Sequence, residues 1–157
     1  MKQEDINTKT TLSTLWIFIL LNMFARDIHE LGRPGMLEQV MSGVVDGVTI
    51  TEELMLLGGV MFEIPILMVL LSRVLHCKIN RSANIFGGVL TLGIVAMTNL
   101  KPDLDNIFFM AFEILALIAV ICIAWKWKVK NKKLTLQNLN ANTHLRRELL
   151  PGERIDA

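Results

Sequence analysis

The 157-residue chain contains no Tyr and has only two Cys, three His and four Pro. Each scarcity removes a class of chemistry. Without Tyr there is no phenol to take part in a reaction. Cys77 and Cys122 stand alone with no CxxC spacing, which excludes a disulfide scaffold and a thiol redox pair and leaves two free thiols. His29, His76 and His144 fall on separate segments, so neither a haem pair nor a zinc ligand set is expected. Ser13, Ser42, Ser72 and Ser82 have no His and Asp close by in the chain, and no Gly-rich phosphate loop occurs. No metal or cofactor is expected from these residues. An excess of one charge is lacking too: 16 Lys and Arg face 15 Asp and Glu, a net charge of +1. A nucleic-acid binder would carry a basic surplus, so no nucleic-acid partner is expected.

What the chain does have is apolar residues, 52% of the total, against 20% charged and 6% aromatic, with a mean hydropathy of +0.47. They are gathered in four blocks. This excludes a disordered chain and an ordinary soluble enzyme. A bilayer core about 30 Å thick is crossed by about 20 helical residues, and four segments qualify: 11–31, 53–75, 82–100 and 106–127. Backbone groups in lipid must be satisfied within the segment, so each span is predicted to be a helix. The first apolar run leads into Arg26-Asp27-Ile28-His29-Glu30 and not into a small-residue cleavage site, so it reads as a mature span and not a signal peptide. The predicted fold class is all-α: a polytopic membrane protein, an up-down-up-down bundle of four transmembrane helices over residues 1–131, followed by a polar, basic tail over 132–157.

The basic residues are segregated by side. Lys2, Lys9, Arg73, Lys78, Arg81, Lys126, Lys128, Lys130, Lys132, Lys133, Arg146, Arg147 and Arg154 flank one side; only Arg26, Arg33 and Lys101 flank the other. The positive-inside rule then predicts both termini in the cytoplasm of a cell-membrane protein. Trp16, Trp125 and Trp127 lie toward the same inner ends, where indoles favour the headgroup level. Basic residues after the last span can also contact anionic lipid.

The connection 32–52 is the long one. Arg33-Pro34-Gly35 ends the first span, and Pro34 is placed to open a short amphipathic helix with Met36, Leu37, Val40, Met41, Val44 and Val45 on one stripe. That helix either lies on the outer interface or folds over the bundle as a cap. Thr51, followed by Glu52 and Glu53, reads as the N-cap of the second span. Residues 76–81 form a tight basic loop, and 101–105 a turn broken by Pro102. Gly58 and Gly59, and Ala83, Gly87 and Thr91 at four-residue spacing, are placed to allow close helix packing.

Ionisable groups within spans are costly, roughly 3 kcal/mol each on insertion scales, and each needs an account. At a rise of 1.5 Å per residue, Arg26 and Glu113 both lie about 21–22 Å above the inner ends of their helices, and Asn22 and Glu63 about 15–16 Å. Arg26 and Asn22 are four residues apart and share a face. These heights predict a buried polar cluster of Asn22, Arg26, Asp27, Glu63 and Glu113: Arg26 paired with Glu113, Asn22 bonded toward Glu63, and Asp27, His29 and Glu30 at the outer mouth. Arg26 can neutralise only one of the two Glu residues, which makes Glu63 the stronger functional candidate. The cluster either forms a small-solute, ion or proton site or only joins the helices.

Several short motifs point to a family. They are Phe24-Ala25-Arg26-Asp27-Ile28-His29-Glu30-Leu31, then Arg33-Pro34-Gly35, Glu63-Ile64-Pro65, Leu71-Ser72-Arg73-Val74-Leu75, Asn80-Arg81-Ser82-Ala83-Asn84-Ile85, Gly87-Gly88, Phe112-Glu113 and Ala124-Trp125-Lys126-Trp127. In combination they resemble the DUF6326 family of uncharacterised prokaryotic membrane proteins, over about residues 12–128. The resemblance implies a four-helix membrane protein without an assigned activity, and it marks Asp27, Glu63, Pro65, Asn84 and Glu113 as candidates for a shared site. With no catalytic constellation, the function expected is non-enzymatic: a small transporter, a channel-like subunit or a member of a homo-oligomer or larger membrane complex, with the lipid bilayer as its first partner. The alternative is a membrane-embedded enzyme or redox-partner subunit acting on a lipid or quinone, through acid–base steps at Glu63 or Asp27. A third is a structural component whose basic tail binds a cytosolic partner.

Overall fold

A computed structural model of the chain describes residues 3–98 and 104–127. It contains α1 (Gln3–Leu31), α2 (Met36–Ser42), the strands β1 (Val44–Val45) and β2 (Val48–Thr49), then α3 (Glu52–Val74), α4 (Cys77–Thr98) and α5 (Leu104–Lys126). The long helices α1, α3, α4 and α5 are each apolar and long enough to cross a bilayer. They pack as a closed ring in which α1 meets α3 and α5, and α4 meets α3 and α5. Chain neighbours run antiparallel, as the predicted bundle requires. Two ends are tied on the side of the first residues: Trp127 Nε1 donates to Asp5 Oδ1 at 3.1 Å, and Lys9 Nζ donates to the Leu75 carbonyl at 2.6 Å. This is called the terminal side below, and the opposite end, which carries α2, the loop side. Large apolar side chains cover the outside, with Leu21, Leu56, Phe86 and Leu115 all at least 60% exposed, as suits contact with lipid chains.

Helix α1 begins at Gln3, eight residues before the expected span, and three local features also differ from expectation, each with a physical cause. The predicted basic loop 76–81 is helical, because α4 begins at Cys77 and the Asn80 amide already donates to the His76 carbonyl. Lys9, expected only as a flanking charge, is buried and caps the carbonyl end of α3, where a cation meets the negative end of the helix dipole. In the long connection, Pro34 does not open the short helix. Gly35 takes the left-handed conformation at φ 83° and α2 starts after it.

The predicted amphipathic helix exists but is shorter than its stripe. Gly43, at φ 76°, ends α2, and Val44–Val45 pairs with Val48–Thr49 in a two-residue hairpin. Asp46 and Gly47 both have positive φ, 48° and 79°, which is the type I′ turn that an Asp-Gly pair favours. Of the apolar stripe only Met36 is buried, whereas Met41 is 81% exposed. The segment therefore presents an apolar surface outward and does not cap the bundle. Thr51 accepts from the Leu54 amide, the expected N-cap of α3. The turn expected around Pro102 and the tail 132–157 lie outside the described residues.

The expected small-residue contacts are met in α4 and not in α3. A Cβ at Gly87 would lie 3.1 Å from Met68 Cγ and 3.5 Å from Trp16 Cζ2, and one at Gly88 would lie 2.8 Å from Ile121 Cγ1. The pair lets α4 approach α1 and α3 on one side and α5 on the other. Gly88→Val is expected to destabilise the bundle by about 2 kcal/mol through overpacking, read as earlier unfolding in a mixed-micelle SDS titration.

Candidate functional site

Two polar clusters lie within the bundle, one toward each side. On the loop side the α1–α5 interface carries them in antiparallel order. Arg26 Nη1 donates to Glu113 Oε2 at 3.0 Å, and one turn further out Asn106 Nδ2 donates to Glu30 Oε2 at 3.4 Å. Arg33 reaches back to Glu30 Oε1 at 2.6 Å, and the rings of His29 and Phe109 meet edge-on at 6.0 Å. Asp27 stands beside Arg26, its Oδ1 3.7 Å from Nε, and its side chain is 47% exposed. Charge thus passes inward from a half-exposed acid, through a nearly buried guanidinium, to a carboxylate with no exposed surface.

Glu113 is only half satisfied. Oε2 holds Arg26, while Oε1 is buried with no hydrogen-bond partner among the described residues. The Thr91 hydroxyl, on the neighbouring helix α4, is also buried without a partner among the described residues. Thr91 lies seven residues from the loop-side end of α4 and Glu113 nine from that of α5, so both sit at a depth of about 10–14 Å. Buried oxygens without partners are rare, and each marks a place where a proton, water or ligand would be bound favourably.

Two predicted members do not join this cluster. Glu63 is exposed on the outside of α3. The buried residues of α3 are Pro65, Met68 and Ser72. Glu63 precedes Pro65 by two residues, a rotation of about 200°, and so faces outward. Asn22 donates to the Phe18 carbonyl of its own helix at 3.0 Å, a bond it makes without Glu63. The predicted pairing of Asn22 with Glu63 is therefore corrected: the heights agree, but the helix rotations do not.

The second cluster, toward the terminal side, was not anticipated as a cluster. Asn84, fully buried, accepts from Trp16 Nε1 at 2.7 Å and from Ser72 Oγ at 3.0 Å, and donates to the Asn80 carbonyl and side chain at 2.9 and 2.6 Å. Asn80 in turn donates to the Ser72 carbonyl. Arg73 Nε reaches Ser13 Oγ at 3.1 Å, and Ser13 donates to the Val69 carbonyl at 3.0 Å. Trp16 is thus a core residue and not a headgroup anchor. Of the three Trp residues, Trp125 is exposed, and Trp127 is buried against Asp5. The available signal is the pair Asn80 and Asn84, four residues apart beside an apolar block, with Ser72 eight residues before Asn80 near the end of the preceding span. No buried side-chain oxygen or nitrogen of this cluster is left without a partner among the described residues, so its chemistry is that of a joint between α1, α3 and α4. Among the described residues, no three His, Cys, Asp or Glu side chains converge as metal ligands do.

Four apolar helices closed into a ring, each long enough to cross a bilayer, define a polytopic all-α membrane protein. The chain belongs to the family of unknown function DUF6326, whose model matches residues 1–135. No curated protein and no solved structure matches it.

Proposed function

We propose that this membrane protein is non-enzymatic and accepts a proton or a small cation at Glu113, reached from the loop side past Asp27 and Arg26. The observation that carries the reading is the Glu113 carboxylate: it is wholly buried, with one oxygen on Arg26 and the other unpartnered. A carboxylate held in this way is ready to take a proton or cation on the free oxygen while Arg26 keeps the other in place. Asp27, half-exposed beside Arg26, is the group through which a proton or cation would arrive. The unpartnered Thr91 hydroxyl offers a further oxygen at the same depth. Ionisable groups inside membrane bundles mark proton and ion paths as a rule.

The distribution of Lys and Arg supports placing the terminal side in the cytoplasm, so that the site opens to the exterior of the cell membrane. The reading is tested in proteoliposomes loaded with a pH-sensitive dye and subjected to an imposed proton gradient. The wild type is expected to equilibrate the gradient faster than empty vesicles, and Glu113→Gln to abolish the difference, with Asp27→Asn slowing it. An infrared carbonyl band that appears on acidification and is missing in Glu113→Gln would identify the protonated group directly. Wild-type vesicles no leakier than empty ones, with no such band, would reduce the pair to a joint between α1 and α5.

A further inference from the structure

We infer that the outward face of α3 is the interface of a homodimer, in which Glu63 of one copy pairs with Glu63 of the other in the middle of the membrane. The inference does not depend on the Glu113 site. Glu63 is the twelfth of the 23 residues of α3, about 16 Å from either end, and it is exposed. It makes no hydrogen bond or ion pair with any described residue. Lipid chains offer a carboxyl group nothing, so an outward-facing Glu at this depth needs a polar partner that comes from outside the chain.

Three features name the partner. First, Leu56, Gly59, Glu63, Ile66 and Leu70 fall within a stripe about 80° wide, all exposed, and Glu63 is its only polar side chain. Nothing on α3 at this depth could pair with a partner's acid except this acid. Second, two copies inserted the same way are related by a two-fold axis along the membrane normal. Such an axis places Glu63 opposite Glu63 at one depth, whatever the crossing angle. The two carboxyl groups can hydrogen-bond to each other with at least one proton held between them. Third, a Cβ at Gly59 would meet nothing within 4 Å among the described residues, and the same is true of Gly58, whereas the Gly87 and Gly88 positions are closely covered. Glycine in a helix costs about 1 kcal/mol relative to Ala, and at Gly59 no contact among the described residues requires it. A second helix crossing there does, because close backbone approach one turn from Glu63 brings the two carboxyl groups within reach. The whole loop-side part of α3, residues 52–60, is exposed all round, which leaves room for that helix.

The test is the oligomeric state of the full chain in phosphatidylcholine/phosphatidylglycerol vesicles, read by Förster transfer between labelled copies over a protein-to-lipid dilution series. The wild type is expected to dimerise. Glu63→Leu and Gly59→Leu should weaken dimerisation about tenfold, the scale of an interhelical hydrogen bond in membranes, while Glu63→Gln, whose amides can still pair, should retain most of it. In a Cys77→Ala/Cys122→Ala background, Gly59→Cys should cross-link to a dimer on mild oxidation, and Leu115→Cys, equally lipid-facing on α5, should not. A wild type that stays monomeric throughout the series overturns the inference. So does a Glu63→Leu chain that dimerises as well as the wild type, or cross-linking at Leu115→Cys and not at Gly59→Cys.

Discussion

Asn84→Leu is expected to cost the bundle about 2–3 kcal/mol, although leucine is nearly the same size and more apolar than the residue it replaces. The reason is the number of bonds on one side chain. Asn84 uses both lone pairs of its oxygen, for Trp16 and Ser72, and both N–H groups, for Asn80. An amide can make no more. Interhelical hydrogen bonds in membranes contribute on average about 0.6 kcal/mol each; leucine would remove two of these, to Trp16 and Ser72, together with two bonds within α4, and would orphan the buried indole N–H and Ser72 hydroxyl, which adds a desolvation cost of about 1 kcal/mol or more. Water cannot compensate, because Trp16, Ser72, Asn80 and Asn84 are all fully buried. Asn22→Leu provides the contrast. Asn22 bonds only to its own helix, so the change should stay within about 0.5 kcal/mol. Both are read from SDS unfolding in mixed micelles. An Asn84→Leu chain as stable as the wild type would mean that the joint between α1, α3 and α4 rests on apolar packing alone.

The Asn22 comparison also shows what a linear chain conveys in lipid. Height along a span can be counted, and the count brought Arg26 and Glu113 together correctly from two helices 87 residues apart. Rotation about the helix axis could not be counted in the same way. In water, a surface helix reveals its inner face by contrast, apolar inside and polar outside. In a bilayer both faces are apolar, and the contrast vanishes. Glu63 and Asn22 share a height and fail to meet because α3 turns Pro65, Met68 and Ser72 inward. The rotation was legible only through small polar residues: Ser72, Asn80 and Asn84, which lipid does not accommodate. Near the membrane surface the ordinary soluble rules return. Asp46-Gly47 between Val44-Val45 and Val48-Thr49 marks the hairpin, although the helical stripe of apolar residues runs on to Val45.

Arg26→Leu should be among the most destabilising single changes in the loop-side half, at about 3 kcal/mol, and adding Glu113→Leu should restore most of the loss. Removing one member of a buried ion pair costs about 3–5 kcal/mol because it strands the other charge. Glu113 has no exposed surface and no second partner among the described residues, so without Arg26 none of them compensates its charge. The reverse single change should be milder, about 1 kcal/mol. Arg26 still has Asp27 at 3.7 Å, and it lies only five residues from the end of α1, close enough for its long side chain to reach the headgroups. The double variant fills the space with apolar groups that a membrane bundle accepts, so its stability should approach that of the wild type or exceed it. The cycle then separates two meanings of the pair, if proton equilibration is measured on the same four proteins. A pair that only joins α1 to α5 is replaceable, and the double variant should behave as the wild type in both assays. A pair that forms a site is not, and the double variant should be stable yet silent. The unpartnered oxygen of Glu113 favours the second outcome, since a joint selected for strength alone would not leave a buried acceptor unbonded.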